Sequence, residues 1–80
     1  MATRLTLRIQ ERISRLTKSE QNLAVLLLEN QSLIETHSAT ELSALAGVSK
    51  ATTARFFRNL GYTDFDEART QAREERNRTQ

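Results

Sequence analysis

The sequence predicts an all-α fold, a compact bundle of about five helices, and three observations point to it. Apolar residues recur at helical spacing, as in Leu5, Ile9, Ile13 and Leu16. Two Ser/Thr-x-x-Glu capping boxes, Thr17 with Glu20 and Ser38 with Glu41, mark helix starts. In each, the hydroxyl takes one free backbone N–H and the carboxylate reaches back to another. The two glycines, Gly47 and Gly61, fall where helices should stop in a left-handed residue.

Eighty residues suffice for one small domain that buries a little over ~60% of its extended-chain surface. Without cysteine there is no disulfide or thiolate metal site, and the single histidine, His37, cannot hold a metal alone. No cofactor is expected. No apolar run approaches membrane-spanning length, and residues 1–6 lack a signal-peptide apolar region, so the default location is cytoplasmic and no membrane partner is expected. Nor is an enzyme expected. The chain has no carboxylate–histidine constellation at motif spacing and no glycine-rich phosphate loop.

In chain order, residues 4–16 read as a first helix with Leu5, Ile9, Ile13 and Leu16 on one stripe and Arg4, Arg8, Arg12 and Arg15 alongside. Those arginines suit either a phosphate-contacting rail or a solvated face whose stems cover the rim of the core. The second is the commoner fate of a charged helix face, and no site residue is assigned there. Thr17 then caps a helix through Leu23, Ala24, Val25, Leu26, Leu27 and Leu28, apolar nearly all round. Such a helix is a central core element, with the further option of presenting a face to a second chain. Asn30 ends it, Leu33 and Ile34 form a short apolar turn, and His37 reads as a surface or loop-packing residue.

Ser38 opens a helix at Ala39, with Leu42, Leu45 and Ala46 on its apolar face, Gly47 as its stop and Val48 plugging the corner. Ser49 caps the next helix, which runs to Gly61 in about eleven residues, or three turns. Thr53, Phe56, Phe57 and Leu60 share a core-facing side of it, while Ala51, Thr52, Arg55, Arg58 and Asn59 share the other. Two short helices hinged at a glycine form a helix-turn-helix, here within a homeodomain-like bundle. An outer face with two arginines, an amide, a hydroxyl and no acid suits the phosphates and base edges of a DNA major groove.

The net charge of +2 is unevenly spread. Residues 1–18 carry five bases and one acid, residues 19–48 four acids and no Lys or Arg, and residues 49–63 three bases and no acid. Two basic blocks around an acidic one allow a single positive face, the footprint expected for nucleic acid. Beyond Gly61, Thr63 is placed to cap a last helix with Asp64, Asp66 and Glu67 in its first turn, where acids complement the dipole. After Phe65 only Ala68 and Ala72 are apolar, and residues 73–80 are wholly polar. That tail is expected to fray or to lead elsewhere.

The runs Leu16-Thr17-Lys18-Ser19-Glu20, Val48-Ser49-Lys50-Ala51-Thr52-Thr53-Ala54-Arg55-Phe56 and Asn59-Leu60-Gly61-Tyr62-Thr63-Asp64-Phe65, with Glu41 to Gly47 before the second, resemble the N-terminal domain of RpiR-family bacterial transcriptional regulators over roughly residues 5–70. The resemblance implies that Ser49, Lys50, Ala51, Thr52 and Arg55 belong to a DNA-recognition element, to which helical geometry adds Arg58 and Asn59. It also implies control of sugar or phosphosugar metabolism genes. Family members usually continue into a sugar-isomerase-like domain that senses a phosphosugar and dimerises. On that basis residues 1–72 are the DNA-binding domain and residues 73–80 the start of a linker to a domain this chain does not contain, where any phosphosugar effector would bind. Ser43 and Thr53 depart from the alanine and aliphatic residue that helix-turn-helix motifs prefer, and Ala68 from the larger residue usual in the family. A Thr53 hydroxyl in a small core needs a partner, such as the carbonyl one turn back.

The expected partner is double-stranded DNA. Arg55 is the first choice for a base contact, because a guanidinium grips guanine O6 and N7 together for ~1–3 kcal/mol of discrimination. Lys50 suits a phosphate, Thr52 either target, and Ser49 divides between phosphate contact and helix capping. A homodimer is expected, since one such unit reads only a half-site. The competing reading is a helical protein–protein interaction module on the same fold.

Overall fold

The structure, a computed structural model, describes residues 4–78; residues 1–3 and 79–80, the outer ends of the expected domain and tail, lie outside the described residues. Among the described residues the chain forms α1 (Arg4–Arg12), α2 (Lys18–Glu29), α3 (Leu33–Thr36), α4 (Ala39–Ala46), α5 (Lys50–Asn59) and α6 (Phe65–Arg78), and no strand. The expected all-α bundle is present, with six helices where about five were expected.

The first expected helix is shorter than its apolar stripe. α1 ends at Arg12, a 3-10 turn covers Ile13–Arg15, and Leu16 is extended. The tighter turn swings Leu16 into the core and leaves Thr17 extended as the cap of α2. Gln21 secures the elbow by donating its amide to the carbonyls of Ile13 and Leu16, at 3.1 and 3.3 Å.

Both capping boxes form. Thr17 and Glu20 open α2, and Ser38 and Glu41 open α4 at Ala39. Glu41 is held below the usual glutamate range, chiefly because the Ser38 backbone N–H, and then its hydroxyl, favour the carboxylate. α2 is the central element: Leu23, Ala24 and Leu27 are buried, and it packs against α1, α4 and α5. Val25, however, is 47% exposed.

On α4 the buried face is turned from the expected one. Leu42 and Ser43 are buried and Ala46 half-buried, but Leu45 is 54% exposed. The cause is the α4–α5 contact, which turns Ser43 rather than Leu45 toward Thr53. Gly47, at φ +71°, closes α4 with the Val48 N–H on the Ser43 carbonyl and the Gly47 N–H on that of Ala44. Gly61, at φ +95°, closes α5 the same way, through Tyr62 N–H to Phe57 and Gly61 N–H to Arg58.

The aromatic core follows from α5 as expected. Thr53, Phe56, Phe57 and Leu60 are fully buried, and Phe57 meets the rings of Phe56, Phe65 and Tyr62 edge-on at 5.1, 5.4 and 6.5 Å. Asp64, not Thr63, accepts the Glu67 N–H at the start of α6, while Glu67 reaches back to the Thr63 N–H and hydroxyl. Residues 73–78, expected to fray or to lead elsewhere, continue α6. Polar contacts supply the anchorage that apolar burial does not: Arg76 pairs with Glu35 at 3.0 Å, Arg69 donates to the Glu35 carbonyl at 2.9 Å, and Glu75 accepts the Arg4 N–H.

Candidate nucleic-acid interface

The candidate surface is the outer side of α5, presented by the α4–turn–α5 corner. Burial of Thr53, Phe56, Phe57 and Leu60 fixes the rotation of α5 and turns Lys50, Ala51, Arg55, Arg58 and Asn59 outward, with Thr52 half-buried. α5 has no acid in its first turn and Arg58 in its last, whereas α2, α4 and α6 each open with acids. The positive end of its dipole is thus left uncompensated beside Lys50.

Hydrogen bonding divides the seven residues expected there. Ser49 accepts the Thr52 N–H at 3.1 Å and lies 3.0 Å from the Thr52 hydroxyl, so the two side chains cap the helix together. Asn59 donates its amide to Glu20 Oε2 at 2.7 Å. The side chains of Lys50, Arg55 and Arg58 have neither a hydrogen bond nor an ion pair among the described residues, and Ala51 leaves room beside them for close approach.

The arginine row of α1 behaves differently. Arg8 donates to the Leu60 carbonyl at 2.9 Å and lies 4.5 Å from the centre of the Tyr62 ring. Arg4 lies 3.8 Å from Glu75, and Arg12 3.9 Å from Glu11. Arg4, Arg8 and Arg12 thus serve the fold or pair weakly at its surface, whereas Arg15, like the cations of α5, has no side-chain hydrogen bond or ion pair among the described residues.

Among the described residues no group of His, Asp and Glu could hold a metal ion, and no helix is long and apolar enough to cross a membrane.

Compared with known families, residues 3–78 match the helix-turn-helix domain of the rpiR family. The chain belongs to that family. No curated protein and no solved structure gave a match. Membership makes this a DNA-binding domain of the regulator type, from a domain class that is not enzymatic. In this rpiR-family domain the sequence reading missed the part played by Glu20. Its capping box was legible in Thr17-x-x-Glu20, but one capping oxygen leaves the other free, and nothing local shows that Asn59, on another helix, takes it.

Proposed function

We propose that this domain binds double-stranded DNA sequence-specifically by inserting α5 into the major groove. The observation that carries the reading is the set of three outward cations, Lys50, Arg55 and Arg58, whose side chains have no partner among the described residues, on a helix whose opposite side is fully buried. Arg55, mid-helix, is assigned to a guanine edge, and Lys50, beside the uncompensated helix start, to a phosphate. Ala51 permits close approach, and Thr52 and Ser49 keep the first turn formed while facing the backbone. Arg58 extends the positive face, and Asn59, held by Glu20, orients the end of the helix.

A homodimer reading two half-sites fits this geometry, and control of sugar or phosphosugar genes in the bacterial cytoplasm fits the family. In the same reading the polar end of α6 leads toward a sugar-isomerase-like domain outside this chain, the place for a phosphosugar effector. The test is selection of bound fragments from the source genome with the 80-residue chain, followed by titration of the recovered duplex with Arg55→Ala. One enriched motif, and weakened and relaxed binding by Arg55→Ala, are expected. No enrichment, with binding insensitive to salt, would favour the protein-interaction module instead.

A further inference from the structure

We propose that Arg15 and Lys18 form, with Arg58, a phosphate clamp that grips the duplex backbone beside α5; this extends the DNA-binding reading and rests on it. The starting observation is the 2.7 Å hydrogen bond from Asn59 to Glu20, which sets the end of α5 against the start of α2. Glu20 sits two residues beyond Lys18 and Asn59 one beyond Arg58, so this contact brings two basic segments distant in sequence to one edge of the domain.

The elbow between α1 and α2 is held rather than loose. Gln21 ties down the carbonyls of Ile13 and Leu16, and Glu20 Oε1 accepts both the N–H and the hydroxyl of Thr17. From this frame Arg15 and Lys18 project to solvent, with no hydrogen bond or ion pair among the described residues. Residues 12–19 contain no acid, and the nearby Glu20 carboxylate is buried and hydrogen-bonded at both oxygens. The segment therefore brings positive charge with no surface carboxylate of its own, the one just before it, Glu11, lying 3.9 Å from Arg12. It continues the uncommitted cations of α5, which selects polyanionic backbone as its occupant. Base edges are not its target, because the elbow lies beside α5 rather than on it. The clamp adds affinity and register without adding sequence preference.

The experiment compares the parent chain with Arg15→Ala/Lys18→Ala and with Arg73→Ala/Arg78→Ala, a pair on α6 that removes the same charge from exposed positions. Each is titrated over a salt series against a duplex recovered by genomic selection and against a scrambled duplex of equal length, after circular dichroism has shown equal helicity and unfolding midpoint. The elbow pair is expected to make the log–log salt slope shallower by about 2, at ~0.9 per lost phosphate contact, and to weaken both duplexes by the same factor. The α6 pair is expected to leave the slope within half of one contact of the parent. A slope equally affected by both pairs, or by neither, would overturn the clamp while leaving the assignment of α5 intact. A parent chain that does not discriminate the two duplexes would overturn the reading beneath it.

Discussion

The hydroxyls of Ser43 and Thr53 lie 2.6 Å apart in the core where α4 meets α5. Each has one proton, yet three contacts ask for one: the pair itself, Ser43 to the Ala39 carbonyl at 2.8 Å, and Thr53 to the Ser49 carbonyl at 3.3 Å. The two shorter contacts form a consistent relay in which Thr53 donates to Ser43 and Ser43 to Ala39. The longer one is the reserve. Removing either hydroxyl leaves the other a carbonyl to donate to, so Ser43→Ala and Thr53→Val should each cost about 1 kcal/mol or less. The double variant should be near neutral, because replacing both partners leaves no unsatisfied group. Urea unfolding of the four chains gives the coupling, and a double variant costing more than the sum of the singles would contradict the relay.

This pair also shows what the sequence could and could not reveal. The need of Thr53 for a partner, and the carbonyl one turn back as a possibility, followed from placing a hydroxyl on a core face. That Ser43 would provide a closer one depends on how α4 rotates against α5, which displaced Leu45 from the expected apolar face. Helix starts were legible because a capping box is local chemistry, and so were the stops at Gly47 and Gly61. The persistence of α6 through Arg78 was not, because its anchors, Glu35 and Arg4, lie at least 34 residues away in sequence from the side chains that meet them. For the candidate site, the helical period separated the core and outer faces of α5. Only the folded chain separates Asn59, already committed, from Arg55, which is not.

Arg8 should behave as a structural residue despite its place in a basic row. It satisfies the Leu60 carbonyl at the end of α5 and stacks on Tyr62. A charge-assisted hydrogen bond of this kind contributes ~1.5–3 kcal/mol, and the ring contact adds ~0.5–1. Arg8→Ala is therefore expected to lower stability by about 2–4 kcal/mol and to leave the salt slope of DNA binding unchanged where the chain stays folded. A lost phosphate contact would give the opposite pattern, a shallower slope at unaltered stability.

Asn59 and Glu20 should couple in the same structural sense. Asn59→Ala strands one oxygen of a buried carboxylate, at an expected cost of about 1–3 kcal/mol. Asn59→Asp should cost more at neutral pH, since it sets a second carboxylate against the first. Thermal unfolding of the two variants at neutral pH measures both effects. An Asn59→Asp chain as stable as Asn59→Ala at neutral pH would mean that the two side chains do not meet.

Tyr62 makes the alkaline limit of the fold measurable. Burial is the main cause that raises its phenol above the ordinary value near 10.0, outweighing the opposite pull of Arg8. The hydroxyl also donates to Gln71 on α6, a bond that ionisation would remove. Because the folded chain favours the neutral phenol, this contribution to stability is complete below the ordinary tyrosine value and is lost as pH rises through the raised one. As the chain has one tyrosine and no tryptophan, phenolate absorbance in the near ultraviolet reports this side chain alone. Folded protein should titrate later than the same chain in strong urea, and Tyr62→Phe should flatten the fall in stability above about pH 10 while costing about 1 kcal/mol at neutral pH for the lost hydrogen bond. Coincident titrations in the two states would mean that the ring is not enclosed between Arg8, Phe57 and α6.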